Sequence, residues 1–238
     1  MDIFEKIVVE RQQNRPFVLA TVIDIKGSTP REIGAKMMVF QDGKTEGTIG
    51  GGAIEKNVVD ACPAVFQSNK AKVLEYDLDD LNMQCGGKMS VFVEPIIAKP
   101  ALLIFGAGHI GLSLATMADM LNFSVTVVDN RPDFANTERF PSAQHIICKD
   151  YGDALSELTF GQDTCIVIVT YKHLHDQEIL EHCAKQPFRY LGMIGSKTKV
   201  TQAFNKLKES GISDELINRI NSPIGLNIKA QTPEEISE

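Results

Sequence analysis

The rhythm of apolar and polar positions along this chain changes near residue 98. Upstream, Ile3, Phe4, Ile7 and Val8 fall among charges at helical spacing, which predicts an amphipathic helix over residues 2–14 that Pro16 ends. Phe17 to Ile25 is apolar nearly throughout and predicts a strand buried on both faces. Lys36 to Phe40 and Thr45 to Ile49, joined through Asp42-Gly43, read as a hairpin. Ala53 to Phe66 has the pattern of a helix, and Ala71 to Tyr76 and Met89 to Glu94 read as strands. Pro95 to Pro100 interrupts the pattern and marks a boundary between domains 1–97 and 98–238.

Downstream, aliphatic strands alternate with helical patterns. The strands are Leu102 to Phe105, Ser124 to Asp129, Gln144 to Ile147, Cys165 to Val169 and Arg189 to Leu191. Between them lie helices over His109 to Asn122, from Tyr151, over Asp176 to Lys185 and over Lys197 to Glu209, with a last one at Asp214 to Ile220. Such alternation predicts a doubly wound parallel sheet. The fold class is therefore α/β, with a Rossmann-like C-terminal domain and a smaller mixed α/β N-terminal domain.

The chemistry sits where these elements meet. Gly106-Ala107-Gly108-His109-Ile110-Gly111 is a G-x-G-x-x-G turn between strand and helix. Gly106 permits the turn, Gly108 lets backbone approach a pyrophosphate, and Gly111 lets the helix pack close to the strand. Asp129 ends the next strand about 20 residues on, where a carboxylate accepts hydrogen bonds from a ribose diol and disfavours a 2′-phosphate. NAD or another nucleotide without that phosphate is the expected ligand, and His109 stands beside it. Gly50-Gly51-Gly52 opens the predicted helix at Ala53 and places flexible backbone at a second helix start, an expected anion cradle. Glu55 lies in that helix's first turn, where a carboxylate favours the dipole. The hydroxyl-rich loop with Ser28 closes on Arg31, and Cys85 is a thiol on a glycine-rich loop. Cys165, within an apolar strand, reads as core. His173-Leu174-His175-Asp176 has metal-ligand residue types, although Asp176 also suits the first turn of a helix, and Ser196 suits a helix cap as well as a phosphate contact.

Composition narrows the partners. The chain has a net charge of −7, no basic stripe and no apolar run near the roughly 20 residues that a bilayer span needs, so nucleic acid and membrane are not expected partners. Its five cysteines are scattered without a C-x-x-C pair and read as reduced thiols. With no export signal at its first residues, the expected compartment is the cytoplasm.

Taken in order, the loops resemble the xanthine dehydrogenase accessory protein family (XdhC/CoxI). The resemblance rests on Gly27-Ser28-Thr29-Pro30-Arg31 with Gly34-Ala35-Lys36-Met37, on Gly47-Thr48-Ile49-Gly50-Gly51-Gly52 with Glu55, and on Cys85-Gly86-Gly87. In the second domain it rests on the G-x-G-x-x-G turn, Asp129-Asn130-Arg131, Gly192-Met193-Ile194-Gly195-Ser196-Lys197, and Pro223-Ile224-Gly225-Leu226 with Thr232-Pro233-Glu234-Glu235. It implies a chaperone that binds molybdenum cofactor (molybdopterin) and delivers it to a xanthine dehydrogenase-type molybdenum hydroxylase, without turning over xanthine itself. It also implies a cysteine desulfurase as a second partner, admits a homodimer, and makes Cys85 the candidate ligand to the metal. Family members carry a further helix after the Thr-Pro-Glu-Glu segment, so surface which that helix covers is expected to be open here. The glycine turn and Asp129, taken alone, also suit an NAD(P)-dependent oxidoreductase or a nucleotide-sensing regulatory protein without catalysis. No proton donor paired with a substrate-binding arginine is evident for the former.

Overall fold

The computed structural model describes residues 2–81, 87–171, 175–226, 228 and 230–237. Its contacts divide into two compact units, Met1–Ala98 and Lys99–Glu238.

The first unit opens with helix α1 (Ile3–Gln12), started by a capping box in which the Asp2 carboxylate accepts from Phe4 N and Glu5 accepts from Asp2 N, each at 2.8 Å. Strands β1 (Phe17–Gly27), β2 (Lys36–Phe40) and β3 (Thr45–Gly47) precede helix α2 (Gly52–Ser68), and β4 (Lys72–Asp77) and β5 (Gly87–Ile96) follow it. The five strands form an antiparallel sheet in the order β3-β2-β1-β5-β4. Ile54, Val58, Cys62 and Val65 form one stripe of α2 and pack against Val18, Ala20, Val22, Met37, Val91 and Val93. This corrects the expectation that β1 is buried on both faces. After Phe17 its burial alternates: Val18, Ala20 and Val22 are in the core, Leu19 and Thr21 are partly exposed, and Ile23 is 42% exposed. Along β1 beyond Phe17, only the face toward α2 is fully buried. A register shift between Val22 and Asp24 leaves Ile23 outside the pairing.

The second unit runs β6 (Ala101–Phe105), α3 (His109–Met120), β7 (Ser124–Val128), β8 (His145–Ile147), α4 (Tyr151–Glu157), β9 (Cys165–Ile168), α5 (Asp176–Ala184), β10 (Tyr190–Met193), α6 (Lys197–Glu209), α7 (Asp214–Ile217), β11 (Ile220–Asn221) and α8 (Pro233–Ser237). The six strands are all parallel, in the order β11-β10-β9-β6-β7-β8. The order reverses between β6 and β9, so the loops after these two strands border the crevice where ligands of such sheets bind. Alternation along β6 serves two cores. Leu103 and Phe105 pack with α4, α5, α6 and α7, whereas Leu102 and Ile104 pack with Ala115 and Ala118 of α3 and with Phe140.

Because α4 to α7 all share the first of these cores, no crossover helix among the described residues covers β9 and β10 on the opposite face. There a trough of about 320 Å³ is lined by Leu114, Met117, Leu121, Cys165, Val167 and Tyr190. Ser237 of α8 reaches α3, its hydroxyl donating to Ile110 O at 3.2 Å. Cys165 is consequently half-buried on the trough floor, a correction to its reading as core. The predicted helix Asp214 to Ile220 also ends early. Ile220 and Asn221 instead pair with Leu191 and Gly192 as a sixth strand.

Candidate functional site

In the first unit, glycine and proline contacts bring three motif loops to one end of the sheet. The β1–β5 register sets Gly27 opposite Gly87, and a Cβ on Gly87 would lie 2.5 Å from Ser28 O, so only glycine permits this approach. A Cβ on Gly50 would lie 2.6 Å from Pro30 Cγ. The 27–31 loop thus touches Gly87 on one side and Gly50 on the other, and Ser28 and Arg31 are exposed upon it. Cys85, which directly precedes Gly86-Gly87, lies outside the described residues.

Glu55 is the organiser of the glycine loop. Its Oε1 accepts from the Thr48 hydroxyl at 2.6 Å, Gly51 N at 2.8 Å and Ile49 N at 3.1 Å, while Gly50 N donates to Thr48 Oγ1 at 3.2 Å. Burial, the largest single influence, would push the Glu55 carboxyl up, but the Thr48 hydroxyl and the loop N–H groups outweigh it and hold the carboxyl below its ordinary value. This changes the anion-cradle expectation for Gly50 to Gly52. Much of the cradle's donor capacity already serves the chain's own carboxylate, and an external phosphate meets that negative charge. Space remains above Gly51 and Gly52, where an added Cβ would have no neighbour within 4 Å.

In the second unit the glycines of the G-x-G-x-x-G turn meet different surroundings. A Cβ on Gly106 would lie 2.3 Å from Val169 O, and one on Gly111 would lie 2.0 Å from Gly106 O. Gly108, the residue before α3, faces open space, and His109 is exposed as the first residue of that helix. Asp129 differs from expectation. It has no exposed surface, and its oxygens accept from Ala107 N at 2.8 Å and from Arg131 Nε and Nη2 at 2.8 and 2.7 Å. Burial works against its charge most strongly, but these donors hold its carboxyl below the ordinary value. The group that reaches the surface at this corner is therefore the Arg131 guanidinium and not a carboxylate. The guanidinium lies 4.0 Å from the Phe134 ring centroid and 4.7 Å from that of Tyr171.

Sequence reasoning passed over Arg131, Phe134, Arg139 and Tyr171 as site residues. The Asp129-Asn130-Arg131 string was the available signal, since an acid and an arginine two residues apart can pair where a strand ends. His175 precedes α5, Asp176 pairs with the Thr170 hydroxyl, and His173 lies outside the described residues. Among the described residues no group of three or more His, Cys, Asp or Glu could hold a metal. Ser196 occupies the cap position of α6 but makes no capping side-chain hydrogen bond.

Two family models match the chain: the XdhC Rossmann domain over residues 102–237, and the XdhC and CoxI family over residues 10–77. The chain is 35% identical to the uncharacterized protein YqeB of Escherichia coli, covering 100% of this chain but 44% of that relative's length. It is 25% identical to a probable xanthine dehydrogenase subunit of Bacillus subtilis, covering 92% of this chain and 89% of the relative. With the molybdenum cofactor insertion chaperone PaoD of Escherichia coli it shares 24% identity over 90% of this chain and 78% of PaoD. A crystal structure described as a xanthine dehydrogenase from Bacillus halodurans superposes with a TM-score of 0.52 at 26% identity, covering 100% of this chain and 93% of the other.

Proposed function

The chain belongs to the XdhC and CoxI family, and on that premise we propose that it is a molybdenum cofactor-binding chaperone that serves a xanthine dehydrogenase-type molybdenum hydroxylase in the cytoplasm. The observation that carries this reading is the meeting of the 27–31 loop with Gly50 and Gly87, which gathers the family's first-domain motifs at one end of a sheet. The names of two relatives, a molybdenum cofactor insertion chaperone and a probable xanthine dehydrogenase subunit, support the same reading.

The residues present suit a pterin that carries a phosphate and a soft metal centre. The exposed Arg31 forks onto the phosphate and the Ser28 hydroxyl hydrogen-bonds it, in place of the amides that Glu55 engages. The open backbone at Gly51 and Gly52 admits a flat ring, and Glu55 keeps that backbone in shape. Cys85 supplies a thiolate to the metal, whose softness matches sulfur. A cysteine desulfurase is the partner that installs the cofactor's terminal sulfur before transfer. The glycine turn at Gly106, Gly108 and Gly111, with His109, holds a nucleotide's phosphates at the start of α3.

The test is to purify the protein from cells that make the cofactor and to measure molybdenum together with the fluorescent pterin released by acid iodine oxidation. Pterin and metal are expected together, and the loaded protein should activate an apo-hydroxylase. Arg31→Ala and Cys85→Ser should each lower cofactor retention with little change in melting temperature. A parent protein that carries neither pterin nor metal and activates nothing would overturn the reading.

A further inference from the structure

At the corner of the parallel sheet beyond β7, the group of the Asp129–Arg131 pair that reaches the surface is the guanidinium and not the carboxylate. Asp129 is fully buried, and Ala107 N and Arg131 engage both of its oxygens. Arg131 uses Nε and Nη2 for this pair, which leaves the Nη1 edge of the guanidinium outside it, and its side chain is 26% exposed. Phe134 and Tyr171 flank the guanidinium and fix its plane. A second cation shares the Phe134 ring with it. The Arg139 guanidinium lies 5.1 Å from the Phe134 ring, its Nη2 donates to Ala107 O at 3.4 Å, and its buried Nε has no hydrogen-bond partner among the described residues. Ala107 is the middle residue of the Gly106-Ala107-Gly108 turn, so both arginines border the nucleotide crevice. Of the two cations only Arg131 pairs with the Asp129 carboxylate. The carboxylate points inward, and the arginines hold the donors.

A ribose 2′-hydroxyl asks for an acceptor, and the acceptor here is spent; a 2′-phosphate asks for guanidinium donors, and two stand at hand. We propose that this corner binds the 2′-phosphate of an adenine nucleotide, with Arg131 and Arg139 as its ligands, and that the Rossmann unit therefore selects an NADP-type over an NAD-type nucleotide. This rests on the glycine turn being a nucleotide site and is independent of the molybdenum cofactor reading.

Calorimetric titration of the whole chain with 2′,5′-ADP against ADP, and with NADP against NAD, tests it. The member of each pair with the 2′-phosphate should bind at least about tenfold more tightly. Arg139→Ala should remove much of that preference. Arg131→Ala should reverse it, because the freed Asp129 carboxylate then repels the phosphate and accepts from the diol. Melting temperatures of both variants identify any that fails to fold, and the parent comparison stands without them. Equal or tighter binding of NAD and ADP by the parent overturns the 2′-phosphate assignment alone, as does a preference that neither substitution alters. Binding of none of the four nucleotides overturns the assignment together with the nucleotide reading of the glycine turn.

Discussion

Glu55 shows how one side chain can both build a loop and change what the loop accepts. Its carboxylate takes the place an outside anion would occupy at Ile49 and Gly51, so the glycine run is held by the chain's own negative charge. Glu55→Ala should leave those N–H groups to water and cost about 1 kcal/mol, whereas Glu55→Gln, which keeps a carbonyl acceptor, should cost less. Chemical denaturation of the two variants measures this. Glu55 and Asp129 should also contribute to the acid sensitivity of the fold, because both carboxyls are held below their ordinary values of 4.5 and 3.8. A lowered pKa in the folded state means that the charged form stabilises it, fully so above the unfolded value and progressively less as pH falls through the folded one. Melting temperature should hence change little from these groups between pH 7 and about 5, and fall below about 4.5. In Glu55→Gln that fall should be shallower. An equally steep fall would mean that Glu55 does not contribute to it.

At the scale of an element, the strand, turn and helix from Leu102 to Met120 obey rules local enough to read from residue order. Gly106 and Gly111 answer to backbone crowding, while Gly108 answers to nothing inside the protein. The two kinds of glycine should separate on substitution. Gly111→Ala drives a methyl into Gly106 O and should destabilise by about 3 kcal/mol or more, or yield no soluble protein. Gly108→Ala, with its φ of −72° and open surroundings, should melt close to the parent while weakening nucleotide binding. Comparing thermal melts with calorimetry on the pair checks both halves, and a Gly108→Ala protein that binds the nucleotide unchanged would remove the close-approach role.

Across the whole molecule, what the sequence made legible was whatever depends on near neighbours. The alternation of strands and helices after residue 98 and the glycine turn both lie within single elements or their junctions. The contact of Pro30 with Gly50, and that of Gly87 with Ser28, depends on the register of β1 against β5, which no local spacing states. Asp129 was legible as an acid at a strand end, but not as a buried one, because its burial requires Arg131 to fold back from beyond β7. The two-residue strand at Ile220 is too short to show a period, and Cys165 reads as core only because a sequence cannot say which part of a sheet face a helix covers. That uncovered part has a consequence for thiol chemistry. Burial holds the Cys165 thiol in its protonated form, with Arg189 opposing and Asp163 reinforcing the effect, beneath the aliphatic walls of the trough. The trough should sort alkylating reagents by charge. Anionic iodoacetate should modify exposed Cys148 and spare Cys165, neutral N-ethylmaleimide should reach both, and buried Cys62 and Cys183 should react with neither until the chain unfolds. Peptide mapping that finds Cys165 carboxymethylated in the folded protein would mean that water and charge enter where the side chains form an oily floor.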